Sequence, residues 1–204
     1  MVETEGVIKF NLTFRTEKLG GVDIGELSAW RKILKDLGLL GQTPDRYDGY
    51  GFGNISQRCA GGFVISGTQT GELDAVTLDD YAVCETWDLQ HNAVDAKGAV
   101  KPSSESLSHA SIYDVHDSVT CALHAHSPDI WQHSVELGIP VTEKSVAYGT
   151  PEMAEEVRRL MVDMDSPGIF SMGGHEDGVF TFGRSLAEAG QLMVLHLARA
   201  RALL

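Results

Sequence analysis

The chain has 204 residues, 43% of them hydrophobic, which suits one globular domain with a real core and excludes a disordered chain. Its 29 acidic residues outweigh 16 basic ones, and the net charge of −13 argues against sequence-independent nucleic-acid binding and against docking on anionic membranes. A local basic pocket for one small anion is compatible with that balance.

The start, MVETEGVIKF, lacks a basic segment and a long apolar core, so it does not read as a signal peptide. Ile8, Phe10, Leu12 and Phe14 alternate with polar residues, the pattern of a half-buried strand. Asp23 to Glu26 reads as a capping box opening a helix, with Leu27, Trp30, Leu34 and Leu37 on one apolar stripe and Gly38 and Gly41 as its stop. A glycine-rich loop from Asp48 to Asn54 follows, then Ile55 to Arg58, a Gly61–Gly62 turn and a short strand at Phe63 to Ile65. The polar loop Ser66 to Gly71 suits either an anion or an ordinary turn. Thr77 to Asp80 marks a short turn or helix start, and Tyr81 to Leu89 alternates as another strand. Asp95 to Gly98 is expected to be a hairpin loop before Val100, with His91 solvated near by.

Ser103 or Ser104 is a good helix N-cap, with Glu105 in the first turn and His109 and Tyr113 near the same face. A strand from Val119 to His126 comes next. Ser127 and Pro128 start a helix expected to run to Leu137, with Gly138 as its stop and His133 on the surface. A helix over Glu152 to Met164 precedes two short strands, Gly168 to Met172 and Val179 to Phe182, joined by the polar turn Gly173 to Gly178. A second capping box, Ser185 to Glu188, opens the last helix, where His196 is read as packing. Cys59, Cys84 and Cys121 show no C-x-x-C spacing, and Cys84 and Cys121, in apolar strand-like runs, read as buried free thiols, which fits a reducing compartment. No apolar run approaches membrane-spanning length, so the expectation is a soluble, cytoplasmic protein. The order of elements gives a single α/β domain of the α+β type over residues 1–204, with helices around a mostly antiparallel sheet.

The stretch from Lys101 to Ser127 carries the chemistry. His124 and His126 lie two apart on a strand, so both rings point to one face. Imidazole pairs suit zinc or a similar divalent ion, and a catalytic site takes three protein ligands with one position open. His175, in a glycine-flanked turn, is the best third candidate. The spacing alone also fits a chance pair of histidines on a polar strand end, and Glu105 alone also fits a helix-start charge.

Pro102, Ser103, Ser104 and Glu105, then His109 and Tyr113, then His124, His126 and Ser127, then a late glycine-flanked histidine, together resemble the class II aldolase/adducin family. The resemblance runs from the Asp23 helix to the C-terminal helix, with Gly53 and Asn54 matching a Gly-Asn loop and Thr70 and Gly71 a phosphate loop. It implies a three-layer fold and a zinc-dependent carbon–carbon lyase (or one using Mn2+, Fe2+ or Co2+) acting through a metal-stabilised enediolate on a small phosphorylated hydroxy-carbonyl compound. It makes His124, His126 and His175 the metal ligands and Glu105 the acid/base. Gly53, Asn54, Thr70, Gly71, Ser103 and Ser104 become the phosphate holders. It also implies a homotetramer. Epimerase and dehydratase chemistry occur in the same family, and adducin itself is a non-catalytic interaction partner, which stands as the reading from another class. Three departures separate the chain from the sugar-phosphate aldolases. The segment from Gly138 to Thr150 is shorter and carries no matching proton-donor tyrosine, Tyr148 fitting a later position instead. Gln69 stands where a proline is usual. Glu176 and Asp177 follow His175 in place of glycine.

Overall fold

The computed structural model describes residues 6–204. Eight strands form its sheet: β1 (Asn11–Thr16), β2 (Asn54–Cys59), β3 (Gly62–Ser66), β4 (Tyr81–Asp88), β5 (Ala93–Gly98), β6 (Cys121–His126), β7 (Gly168–Ser171) and β8 (Gly178–Gly183). Their spatial order is β1-β5-β4-β3-β2-β6-β8-β7, antiparallel throughout except for the β1–β5 edge pair. The helices are α1 (Gly25–Asp36), α2 (Ser106–Val115), α3 (Pro128–Gln132), α4 (Pro151–Met161) and α5 (Leu186–Arg201).

Strand alternation divides the sheet into two buried faces. Ile55, Val64, Cys121, Leu123 and Val179 point to one side and pack with Leu27 and Leu34 of α1, Ile130 of α3, and Met193 and Leu197 of α5. Phe63, Ile65, Ala122, Phe180 and Phe182 point to the other and pack with Ile112 of α2 and Val157 of α4. The result is the expected three-layer arrangement of a mixed, mostly antiparallel sheet between helices. Cys84 and Cys121 are buried and Cys59 partly so, all three as free thiols, and burial raises the thiol pKa of each. His91 is exposed and bonds Asp88; His196 is buried and bonds the Leu192 carbonyl. His133 is half-buried at the end of α3.

Several elements differ from the sequence reading. Asp23 builds no capping box: its carboxylate accepts the Gly25 N–H at 2.9 Å in a local turn, and Ile24 takes the cap position. Ala93–Gly98 is a strand, because pairing on both sides with β1 and β4 overrides its weak β-propensity. α3 stops at Gln132, where the Ser134 hydroxyl bonds the Ile130 and Trp131 carbonyls and the chain goes on in turns to Gly138. Of the second box only half forms: Ser185 caps the Glu188 N–H, while the Glu188 carboxylate goes to Arg184.

Candidate metal centre and anion cleft

β6 sets the geometry. All six of its residues are buried, and its even positions, Ala122, His124 and His126, face α2. Across the register His124 stands opposite Asn54 of β2 and Phe180 of β8, and the Phe180 ring stacks on His124 with centroids 4.5 Å apart. The third imidazole arrives from the β7–β8 turn. Gly174 lets that turn press against the Val146 carbonyl, since a Cβ there would lie 1.9 Å from it. His175 is thereby brought over the strand end, with ring centroids 5.4 Å from His124 and 4.9 Å from His126. One ligand atom from each of the three histidines lies within 4.8 Å of the others, a spread a single ion can bridge.

The electrostatics suit a cation. Desolvation, reinforced by the neighbouring His175, holds His124 and His126 well below the usual imidazole range, so both are neutral and present lone pairs. Both ring nitrogens of His124 are buried and no side chain among the described residues hydrogen-bonds them, only the Val179 backbone favouring the protonated ring. A buried imidazole left that way is costly unless something ligates it. The donor set and its protonation therefore fit a divalent metal.

Glu105 sits at the N-cap position of α2, one residue outside the helix rather than in its first turn, and is 1% exposed. The turn is fixed by Ser103, whose carbonyl accepts both the Ser106 N–H and the Ser106 hydroxyl. Glu105 Oε2 accepts from the Ser108 hydroxyl at 2.9 Å, and Oε1 lies 3.8 Å from His175 Nε2. The carboxylate thus belongs to the histidine cluster, not to a solvated helix end.

The other six predicted residues, Gly53, Asn54, Thr70, Gly71, Ser103 and Ser104, line one cleft beside the histidines. Asn54 is held from behind by a buried chain. His109 Nε2 donates to Asn54 Oδ1 at 2.5 Å, Ser56 donates to His109 Nδ1 at 2.6 Å, and the Tyr113 hydroxyl donates to Ser56 at 2.7 Å. These directions follow because the Asn54 oxygen can only accept. Burial pushes His109 down to about 3, so one ring nitrogen donates and the other accepts. The amide NH2 of Asn54 is left for the cleft.

Three features of the site have weaker sequence signals. Tyr47 packs edge-on against His126 at 4.7 Å and donates its hydroxyl to Asp177 at 2.8 Å; both residues have positive φ, 48° and 62°. Tyr148 is buried with its ring 4.5 Å from His175. Arg31 lines the same cleft from α1, and the spacing Leu27, Arg31, Leu34 places it on the buried stripe.

A mixed sheet between two helical layers, with three histidines converging at one strand end, defines a class of fold and site. Residues 44–204 match the family model described as Class II Aldolase and Adducin N-terminal domain, and the chain belongs to that family. Similar solved structures include L-fuculose-1-phosphate aldolase from Thermus thermophilus, at 22% identity over 86% of this chain and 89% of that one, with a TM-score of 0.63. A sugar-phosphate aldolase from Thermotoga maritima matches at 16% identity over 87% and 91%, with a TM-score of 0.65. YgbL from Klebsiella pneumoniae matches at 19% over 87% and 86%, also at 0.65. At these identities the likeness is one of fold. No helix among the described residues is long and apolar enough to cross a membrane.

Proposed function

We propose that this chain is a metal-dependent class II aldolase-type enzyme, a carbon–carbon lyase for a small phosphorylated hydroxy-carbonyl compound. The observation that carries the reading is the cluster of three buried histidines, whose ligand atoms lie within 4.8 Å of one another and in which no side chain among the described residues hydrogen-bonds His124. An interaction module of the adducin kind has no use for that arrangement. His124, His126 and His175 would hold the ion, zinc being the first choice for three imidazoles. When bound, it supplies Lewis-acid polarisation of a carbonyl oxygen.

The remaining chemistry belongs to the chain. Glu105, oriented by Ser108 and shielded from water, takes the proton from the carbon beside the carbonyl in the condensing direction and returns it in the cleaving direction. The backbone at Gly53 and Gly71, the hydroxyls of Thr70, Ser103 and Ser104, and the Asn54 amide hold the phosphoryl group. Asn54 and His124 are a directly opposed cross-strand pair, roughly 5 Å apart at Cβ by ordinary sheet geometry. Only a few bonds then separate the phosphoryl group from the reacting carbonyl, which argues for a short substrate. Proton transfer at the same carbon also serves epimerase and dehydratase reactions.

The test is metal analysis of protein purified without chelator, followed by a screen of sugar phosphates read by mass spectrometry. About one divalent ion per chain is expected, lost in His124→Ala. Near-zero zinc, manganese, iron and cobalt, with no uptake on reconstitution, would overturn the reading.

A further inference from the structure

Arg31 is a cation in an unusual place. It is 1% exposed, on the inner face of α1. It forms no ion pair with any carboxylate among the described residues: Asp74 is taken by Lys35 at 2.6 Å, and Asp80 closes the Thr77 turn. Its guanidinium donates to the Thr70 carbonyl and, at 2.9 Å, to the Leu73 carbonyl. Nε is buried with no hydrogen-bond partner. Two carbonyls need only neutral donors, so the charge is surplus to that task. A buried charge with no counter-charge in contact is unfavourable: desolvation lowers the Arg31 pKa, with Tyr81, Asp80 and Asp74 opposing the shift from beyond ion-pair distance. The cleft that Arg31 lines is otherwise walled by glycines, apolar groups and neutral polar side chains, so Arg31 is its one charged group among the described residues. The chain around it carries a net charge of −13, whose field repels anions.

We infer that Arg31 supplies the positive charge that makes this cleft select an anionic substrate group over a neutral one, while its two carbonyl contacts hold the Thr70–Gly71 loop in place. The inference rests on the reading of the cleft as the phosphoryl holder given above. It adds the residue that provides charge there, where hydroxyls and amides provide only dipoles. The bound anion and Arg31 would neutralise one another in a site of low dielectric, which is why one cation suffices.

The experiment is a calorimetric titration with inorganic phosphate of wild type, Arg31→Gln and Arg31→Lys, each metal-loaded and each chelator-treated, so that phosphate bound to a metal is separated from phosphate in the cleft. Metal content is measured on the same samples. Wild type is expected to bind phosphate without metal, more weakly as salt rises. Arg31→Gln is expected to lose about tenfold or more in affinity with metal content unchanged, and Arg31→Lys to recover part of that loss because the charge is kept. A structural role alone would weaken both variants alike. Wild-type affinity in Arg31→Gln, equal loss in both variants, or no phosphate binding by chelator-treated wild type would each overturn the inference. If Arg31→Gln does not fold, the wild-type Arg31 Nε–H resonance decides: it moves on phosphate addition if the inference holds and stays fixed if it does not. Absence of metal in every sample would instead count against the enzyme reading and leave the phosphate titration readable.

Discussion

Ser56→Ala is the sharpest probe of the polar layer beneath the site. The Ser56 hydroxyl is fully buried and serves two partners, donating to His109 Nδ1 at 2.6 Å and accepting from Tyr113 at 2.7 Å. Both partners are 0–1% exposed, so water cannot replace the lost group. Each buried polar atom left unsatisfied costs about 1–3 kcal/mol, which gives a total of about 2–6 kcal/mol. That is a large share of the roughly 5–15 kcal/mol that holds a domain together. Tyr113→Phe removes one donor and leaves Ser56 bonded to His109, so it should cost only about 1 kcal/mol. The double variant should then be more stable than the sum of the single losses implies, because no orphaned Tyr113 hydroxyl remains. Urea unfolding of the four proteins, monitored by circular dichroism at fixed metal occupancy, measures the cycle. A Ser56→Ala loss below about 0.5 kcal/mol, or additivity within about 0.3 kcal/mol, would refute the chain of hydrogen bonds as drawn.

Glu105→Gln keeps the shape of the side chain and removes the proton acceptor. It should leave metal content intact and lower kcat by about 100-fold to 10,000-fold on a confirmed substrate, and unchanged turnover would remove Glu105 from the acid/base role. Gly53→Ala and Gly53→Asn separate two demands at one position: φ there is 70°, and a Cβ would lie 2.9 Å from the Leu39 carbonyl and 3.1 Å from the His124 carbonyl. If φ alone mattered, Asn would be tolerated; the close approach predicts that both lose about 1–3 kcal/mol in thermal or urea unfolding, and an Asn variant as stable as wild type would contradict it.

What the sequence disclosed depended on whether a feature was periodic. The alternation of β6 shows the two histidines on one face without any structure, because strand geometry admits only one outcome. The glycine-flanked turn around His175 was legible for a similar reason, being a local device with a known geometry, whereas neither Ser103 nor Ser104 is the expected N-cap, a position Glu105 itself takes. Pairing was not legible at Ala93–Gly98, where the strand exists because two neighbours bond it and not because Asp, Ala, Lys and Gly favour extended chain. The site residues that escaped notice are those whose meaning is tertiary. Arg31 is one charged residue on an ordinary helix until the Thr70 loop closes over it. Tyr47 and Asp177 are 130 residues apart, and nothing local announces their hydrogen bond. Ser106 to Tyr113 carries serines and a histidine among its apolar residues, and the sequence does not show that every residue of it is buried against the sheet and α4.

That buried helix explains why the site sits where it does. A sheet face covered by a helix is ordinarily apolar, since each polar group placed there must find a partner. Under α2 the face instead presents Asn54 and Ser56 from β2 and His124 and His126 from β6. α2 meets these groups with His109 and Tyr113, and satisfies its own Ser106, Ser108 and Ser111 hydroxyls locally on Ser103, Glu105 and Leu107. The Asn54–Ser56 half of the face is thus closed by hydrogen bonds, and rigid for that reason. On the β6 half no side chain among the described residues hydrogen-bonds either ring nitrogen of His124, directly across the ladder from Asn54. The two halves share one backbone register, so Asn54 and His124 are kept at a fixed separation. On the function proposed above, the ligand that suits both halves together is one long enough to reach both, with an anionic end and an electron-rich oxygen at the other.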